Sequence, residues 1–223
     1  MASYKFPSSR VSNGALKETV LVGILEIFAI LAVSLRLWAR SMKRKQLAFN
    51  DYAILVALFF CTSLLAIAIT STVWSGKGFH MHDIDPRYRS RVFVAFTAGQ
   101  PVWGAANAAV KFSILHLYLT IFQDERFRRV CFGAMAVSMG YFISVFLETF
   151  LLCKPVQFNW DKTIPGACNK YAKETYVVAG ALNLIIDVFI VILPMPMLFQ
   201  LRIPRAKKIG LIAMFSLGAV YVV

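Results

Sequence analysis

Charge is scarce in this chain. Only 16% of its 223 residues are Asp, Glu, Lys or Arg, and the acids are the rarer kind, 11 against 24 bases. Apolar residues make up 59%, and the mean hydropathy is +0.66. A soluble domain of this length has too little interior for so much apolar side chain, so a bilayer must supply the missing apolar solvent. The net charge of +13 would suggest nucleic acid on a soluble protein. Here the bases fall between apolar blocks, where Lys and Arg meet lipid headgroups, and no nucleic-acid partner is expected.

Catalytic motifs are lacking too. The histidines are His80, His82 and His116, and none stands in a nucleophile or zinc-hydrolase motif. No Gly-x-x-x-x-Gly-Lys phosphate loop occurs, and the expectation is a protein that is not an enzyme. A cleavable signal peptide is not in evidence, because Met1 to Lys17 is short, polar and without an apolar core. The first apolar block should then act as an uncleaved insertion signal. Residues 1–17, with Pro7, Ser8, Ser9 and Asn13-Gly14, are expected to form a disordered tail.

What the chain does have is long apolar blocks, at roughly 18–37, 52–74, 92–122, 129–152 and 174–200. Each reaches the 20 or so residues that cross about 30 Å of hydrocarbon. A sixth begins at Ile209 and stops at Val223, which suggests a chain cut short. In lipid a helix satisfies its own backbone. The expected fold class is therefore all-α: a polytopic transmembrane helix bundle of five complete spans plus a truncated sixth. Small residues four apart, Gly104 with Ala108, Ala105 with Ala109 and Ala136 with Gly140, would let helices approach closely. Pro101, Pro194 and Pro196 should kink their helices or end the regular ladder, since proline lacks the donor.

Basic residues divide almost evenly between the two sides, so the positive-inside rule barely decides orientation. The dense cluster Arg40–Lys45 after the first block and a pair of cysteines favour an outside amino terminus. Cys153 and Cys168 flank a short polar connection that holds Trp160, Pro165 and Gly166. Outside the cell that loop is in an oxidising compartment, and a disulfide is expected there. Cys61 and Cys131 fall in or beside spans and read as buried thiols.

Polar residues inside spans are costly and are functional candidates by default. Lys111 lies deep in the third block with Asn107 one turn earlier, Asp187 lies midway along the fifth with Asn183 one turn earlier, and Glu26 lies in the first. Counted from the inner helix ends, Lys111 sits about 16 Å up and Asp187 about 20 Å up. A pair between them is expected, with both asparagines hydrogen-bonding around it and Glu26 as the competing acid. The bland alternative is a structural ion pair or a snorkelling lysine. His80, His82, Asp83 and Asp85 alternate in one loop. Such groups can bind a divalent ion, but the open spacing favours a solvated outer loop, and no metal site is assigned.

At these residues the chain resembles the fungal rhodopsin-domain family, seven-helix membrane proteins that include Pth-type receptor-like proteins of plant-pathogenic fungi. Arg36-Leu-Trp38-Ala-Arg40 closes the first span, and Asn50-Asp51-Tyr52 opens the second. Gly76-x-Gly78-x-His80 follows, and Lys111-x-Ser113-Ile-Leu115-x-x-Tyr118-x-x-x-Phe122 looks like the third-helix signature. Cys153-x-Pro155 with Trp160 and Cys168 resembles the fourth connection. Asn183-x-x-x-Asp187 and Leu193-Pro194-x-Pro196 resemble the fifth helix, and Lys208 with Phe215-x-Leu217-Gly218 the start of the sixth. Asn50 stands where the family often has a second Asp, and the seventh helix of the plan is absent from the sequence.

The resemblance covers about residues 18–223 and implies a transmembrane domain with a receptor-like role in the plasma membrane. Its partners would be the lipid bilayer, an unknown ligand, and a cytosolic signalling protein for which the basic segment Arg202 to Lys208 is suited, as it is for lipid. It does not imply retinal: true rhodopsins carry the Schiff-base lysine on the seventh helix, whereas Lys111 is on the third, and no cofactor is expected. The rival readings are a transporter or channel subunit with Lys111, Asp187 and Glu26 along its path, or a fragment without function of its own.

Overall fold

The computed structural model describes residues 11–42 and 49–200. The sixth apolar block, the basic segment from Arg202 to Lys208, and Lys43, Arg44 and Lys45 lie outside the described residues. Five long helices follow one another: α1 (Asn13–Met42), α2 (Phe49–Trp74), α3 (Pro86–Ile121), α4 (Glu125–Leu151) and α5 (Ala172–Ile192). A short α6 (Met195–Gln200) follows. The α4–α5 connection carries a small antiparallel ladder, β1 (Cys153–Lys154) against β2 (Ala167–Cys168), with Cys153 opposite Cys168. The chain is thus mostly helical.

Four helices are long and apolar enough to cross a membrane, the segments Asn13–Met42, Asp51–Trp74, Glu125–Leu151 and Glu174–Met197. The expected set of five included α3, which has the length, at 36 residues, but not the composition. The reason is its place in the bundle. α3 packs against α2, α4 and α5, so its polar side chains meet other helices rather than lipid. The outer faces of its neighbours are the reverse. Phe28 is 65% exposed, Phe59 66% and Val177 71%, within a continuous apolar surface that suits lipid and not water.

One helix end differs from what the sequence suggests. The helical chain begins at Asn13, inside the segment expected as a tail, and residues 1–10 lie outside the described residues. The α2–α3 loop reaches back to this point. Its Gly78 carbonyl accepts a hydrogen bond from Ser12 Oγ at 3.1 Å. A Cβ on Gly78 would stand 2.9 Å from that of Ala15, and its φ of +88° already favours glycine. Pro101 does not end α3, which runs on past it; one missing donor is tolerated where neighbouring helices pack closely. Pro194 behaves as expected. The regular helix gives way at Leu193–Pro194 and resumes as α6, which holds Pro196.

The glycines of the small-residue pairs differ. A Cβ on Gly104 would come within 3.3 Å of Phe142 and 3.4 Å of Val145, so this glycine does let α4 approach α3. Gly140 has nothing within 4 Å and marks no helix contact. At the end of the bundle away from the ladder, Leu115, Tyr118 and Phe122 of α3 pack with Phe127, Cys131 and Ala134 of α4 and Ile190 of α5. Asp124 caps α4 there, its carboxylate accepting Phe127 N–H at 2.9 Å.

Candidate functional site

Lys111 projects from α3 towards α5, and its three N–H donors find three acceptors. Asp187 Oδ1 lies at 2.8 Å, Asn183 Oδ1 at 2.8 Å and Asn107 Oδ1 at 3.3 Å. Asn183 donates in turn to Asp187 Oδ2 at 3.0 Å, and Asn107 to the Trp103 carbonyl at 3.1 Å. The spacing of four residues on each helix puts each amide one turn from its charged neighbour. The lysine is left with no unmet donor. Only 4% of the Lys111 side chain is exposed, and 18% of Asp187. Glu26 takes no part. It is 8% exposed on α1, and Oε1 has no hydrogen-bond partner among the described residues.

A second ionic cluster closes the far end of the bundle. Asp51, fully buried in the first turn of α2, receives Arg36 Nε at 3.3 Å and Arg40 Nη1 at 2.7 Å, both from the last turns of α1. All three are motif residues in the sequence, where no motif marks them as partners. The signal was present: two arginines one turn apart before a break, then an acid in the next helix's first turn, where the helix dipole also favours it. Trp38, between the arginines, faces outward at 64% exposure, as a headgroup-level tryptophan would.

The remaining motif residues shape the opposite end. Gly76 and Gly78 have positive φ, 73° and 88°, and turn the α2–α3 loop so that Lys77 meets Glu18 of α1 at 2.8 Å. His80 is exposed, and its carbonyl accepts Asp83 N–H at 2.8 Å. Among the described residues no three His, Cys, Asp or Glu side chains converge as a metal site would require. In the α4–α5 connection Cys153 and Cys168 form a disulfide. Pro155 opens a short 3-10 turn that Trp160 closes, and the Trp160 carbonyl accepts Ser90 Oγ of α3 at 2.9 Å. Lys162 lies over the Phe158 ring at 4.1 Å. Loss of water around that ammonium pushes its pKa down. Tyr118 is buried in the core near Phe127, and Pro194 is buried at the α5–α6 junction.

Between these features, at the disulfide end, the helices leave a cavity of about 770 Å³, within the usual range for small-molecule sites. All five long helices line it, with Glu18, Phe96, Trp103, Tyr141, Glu148 and Tyr176 among the walls and Gly99 and Gly180 leaving room. A second space of about 250 Å³ shares Tyr141, Glu148 and Ala179. The cavity and the Lys111 cluster are neighbours along the helices. Trp103 lines the cavity and bonds Asn107 through its carbonyl. Ala179 lines it one turn before Asn183, and its carbonyl accepts Tyr141 Oη at 3.0 Å.

Glu148 was missed from sequence. It sits close to the end of an apolar block, where an acid reads as a headgroup-level residue. The aromatic walls were equally unmarked, since nothing in their spacing separates cavity from core.

A family model described as "Fungal rhodopsin domain" matches residues 35–223. Among curated proteins, the chain is 24% identical to "Polyenoic acids biosynthesis gene cluster protein Ba17b" of Metarhizium anisopliae, over 91% of this chain and 56% of that one. It is 26% identical to "Receptor GIN3" of Arthrobotrys oligospora, over 90% and 49%. It is 25% identical to "SAT4 family membrane protein" of Emericella nidulans, over 64% and 38%. The chain thus spans about half the length of the first two relatives. No solved structure matches it.

Proposed function

The chain belongs to the fungal rhodopsin domain family, and from that premise we propose that this multi-pass membrane protein is a receptor-like sensor of an extracellular small molecule, with no enzymatic chemistry of its own. The reading puts it in the plasma membrane with the disulfide end outside, where cystine is stable, and counts α3 as a crossing helix alongside the four more apolar ones. A receptor-named relative supports it. The observation that carries it is the cavity lying one helical turn from Asn107 and Asn183, which hold the Lys111–Asp187 pair that bridges α3 and α5. Occupation of the cavity would act on that bridge and, through α5, on the opposite end of the bundle, where a cytosolic partner would read it.

Relatives named for biosynthetic clusters favour a second reading, transport of a pathway's product. Against it stands Lys111, whose donors are all engaged locally rather than left to a passing substrate. Proteoliposomes discriminate. A compound that raises the melting temperature of the wild type, and not of a cavity-filling Gly180→Phe variant, should stay outside the vesicles. Accumulation inside them overturns the sensor reading in favour of transport.

A further inference from the structure

We propose that the cavity takes an organic cation, an ammonium on an otherwise apolar small molecule, seated against Glu148 among aromatic rings. The inference rests on the sensor reading and names its ligand class. It begins from the charges that face the cavity. Glu18 is matched by Lys77 at 2.8 Å, and the neighbouring Lys111 is matched by Asp187 at 2.8 Å. Glu148 lines both spaces, with Glu174 beside it in the smaller one, and no basic side chain lies within ion-pair distance of Glu148 among the described residues. The larger cavity therefore offers one carboxyl group without a basic partner, near the end of α4. A carboxyl group so placed gives a bound cation an opposite charge to pair with.

The walls fit the same chemistry. Phe96 and Tyr176 meet edge to face, ring centroids 5.6 Å apart at 81°, which makes an aromatic corner. Trp103 and Tyr141 line the same cavity. Ring faces attract an alkylated ammonium and need no water to do so. Neutral or anionic ligands would leave Glu148 unmatched or opposed. Lys77 does not invite an anion either, because it is already held by Glu18.

The test uses the whole chain in nanodiscs, with thermal stabilisation and tryptophan fluorescence as readouts. Three probes of similar size differ in charge: acetylcholine, its uncharged carbon isostere 3,3-dimethylbutyl acetate, and 4-acetoxybutanoate. Wild type should bind the cation about tenfold or more tightly than the isostere, and the anion least. E148Q should bring cation and isostere to within about threefold, while E148D, which keeps the charge, and Y176F, which keeps the ring, retain the preference. If E148Q does not fold, the wild-type comparison and E148D still decide. Equal binding of cation and isostere by wild type, an unchanged preference in E148Q, or binding of none of the three overturns the ammonium assignment. None of those results touches the sensor reading. Accumulation of the cation inside vesicles would overturn that reading while leaving the ammonium assignment in place.

Discussion

Lys111 on α3 and Asp187 on α5 stand 2.8 Å apart in the interior of the bundle. Every hydrogen-bonding position on the ammonium is filled by one carboxylate and two amides. A charge left alone at that depth costs on the order of 3 kcal/mol, so the pair holds together two helices that otherwise touch at few points.

Lys111→Met should therefore lower the yield of monodisperse protein by leaving Asp187 an orphan. Adding Asp187→Leu should restore much of the yield, because the double variant buries no unpaired charge. Size-exclusion chromatography reads both. Rescue by Glu26→Leu instead of Asp187→Leu would mean that the lysine's true partner is on α1.

Two glycines should respond in opposite ways to alanine. Gly78→Ala forces a side chain into positive φ and against Ala15, with an expected loss of about 1–3 kcal/mol. Gly140→Ala fills open space on a helix and should be neutral, or add about 0.5–1 kcal/mol. Thermal unfolding of the two variants side by side checks the contrast, and a destabilised Gly140→Ala would show a contact the structure does not have.

Reduction of the Cys153–Cys168 bridge, which spans a sequence separation of 15, should cost roughly 3 kcal/mol on the loop-entropy argument. Mass spectrometry of freshly isolated membranes under non-reducing conditions should find both sulfurs oxidised. Two free thiols there would remove the chief reason for placing this end of the bundle outside.

Orientation has its own measurement. A cysteine replacing Ser9 should react with a membrane-impermeant thiol reagent on intact cells, and one replacing Gln46 should not. No natural Asn-x-Ser/Thr acceptor exists to report on sidedness. The opposite labelling pattern inverts the topology.

Legibility from sequence followed the strength of the physical constraint. Apolar blocks longer than a bilayer leave few alternatives to helices. Two opposite charges at matched depth have almost nowhere else to go, so Lys111 and Asp187 were readable as partners. Weaker constraints left less trace. The start of α1 at Asn13 depends on a loop folding back onto Ser12, which is tertiary. Arg36, Arg40 and Asp51 were recognisable as motif residues, but their contact depends on how the chain turns between α1 and α2. The cavity was the least legible feature, because a void is made by what five helices fail to fill. Glu148 gains its meaning only from that void.

The Cys153–Cys168 bridge ties the end of α4 to the start of α5, and the helix at the other end of α5 is broken at Pro194. Such an element is tied covalently at one end and held by side-chain packing, Ile190 in the core, at the other. Its 21 residues make an arm of about 31 Å, so a tilt of about 5° around the tied end carries the other sideways by nearly 3 Å. Lys111 grips the arm near three-quarters of the way along, where a small push from above is already magnified. The disulfide thus does more than close a loop: it sets the end about which any tilt of α5 would turn.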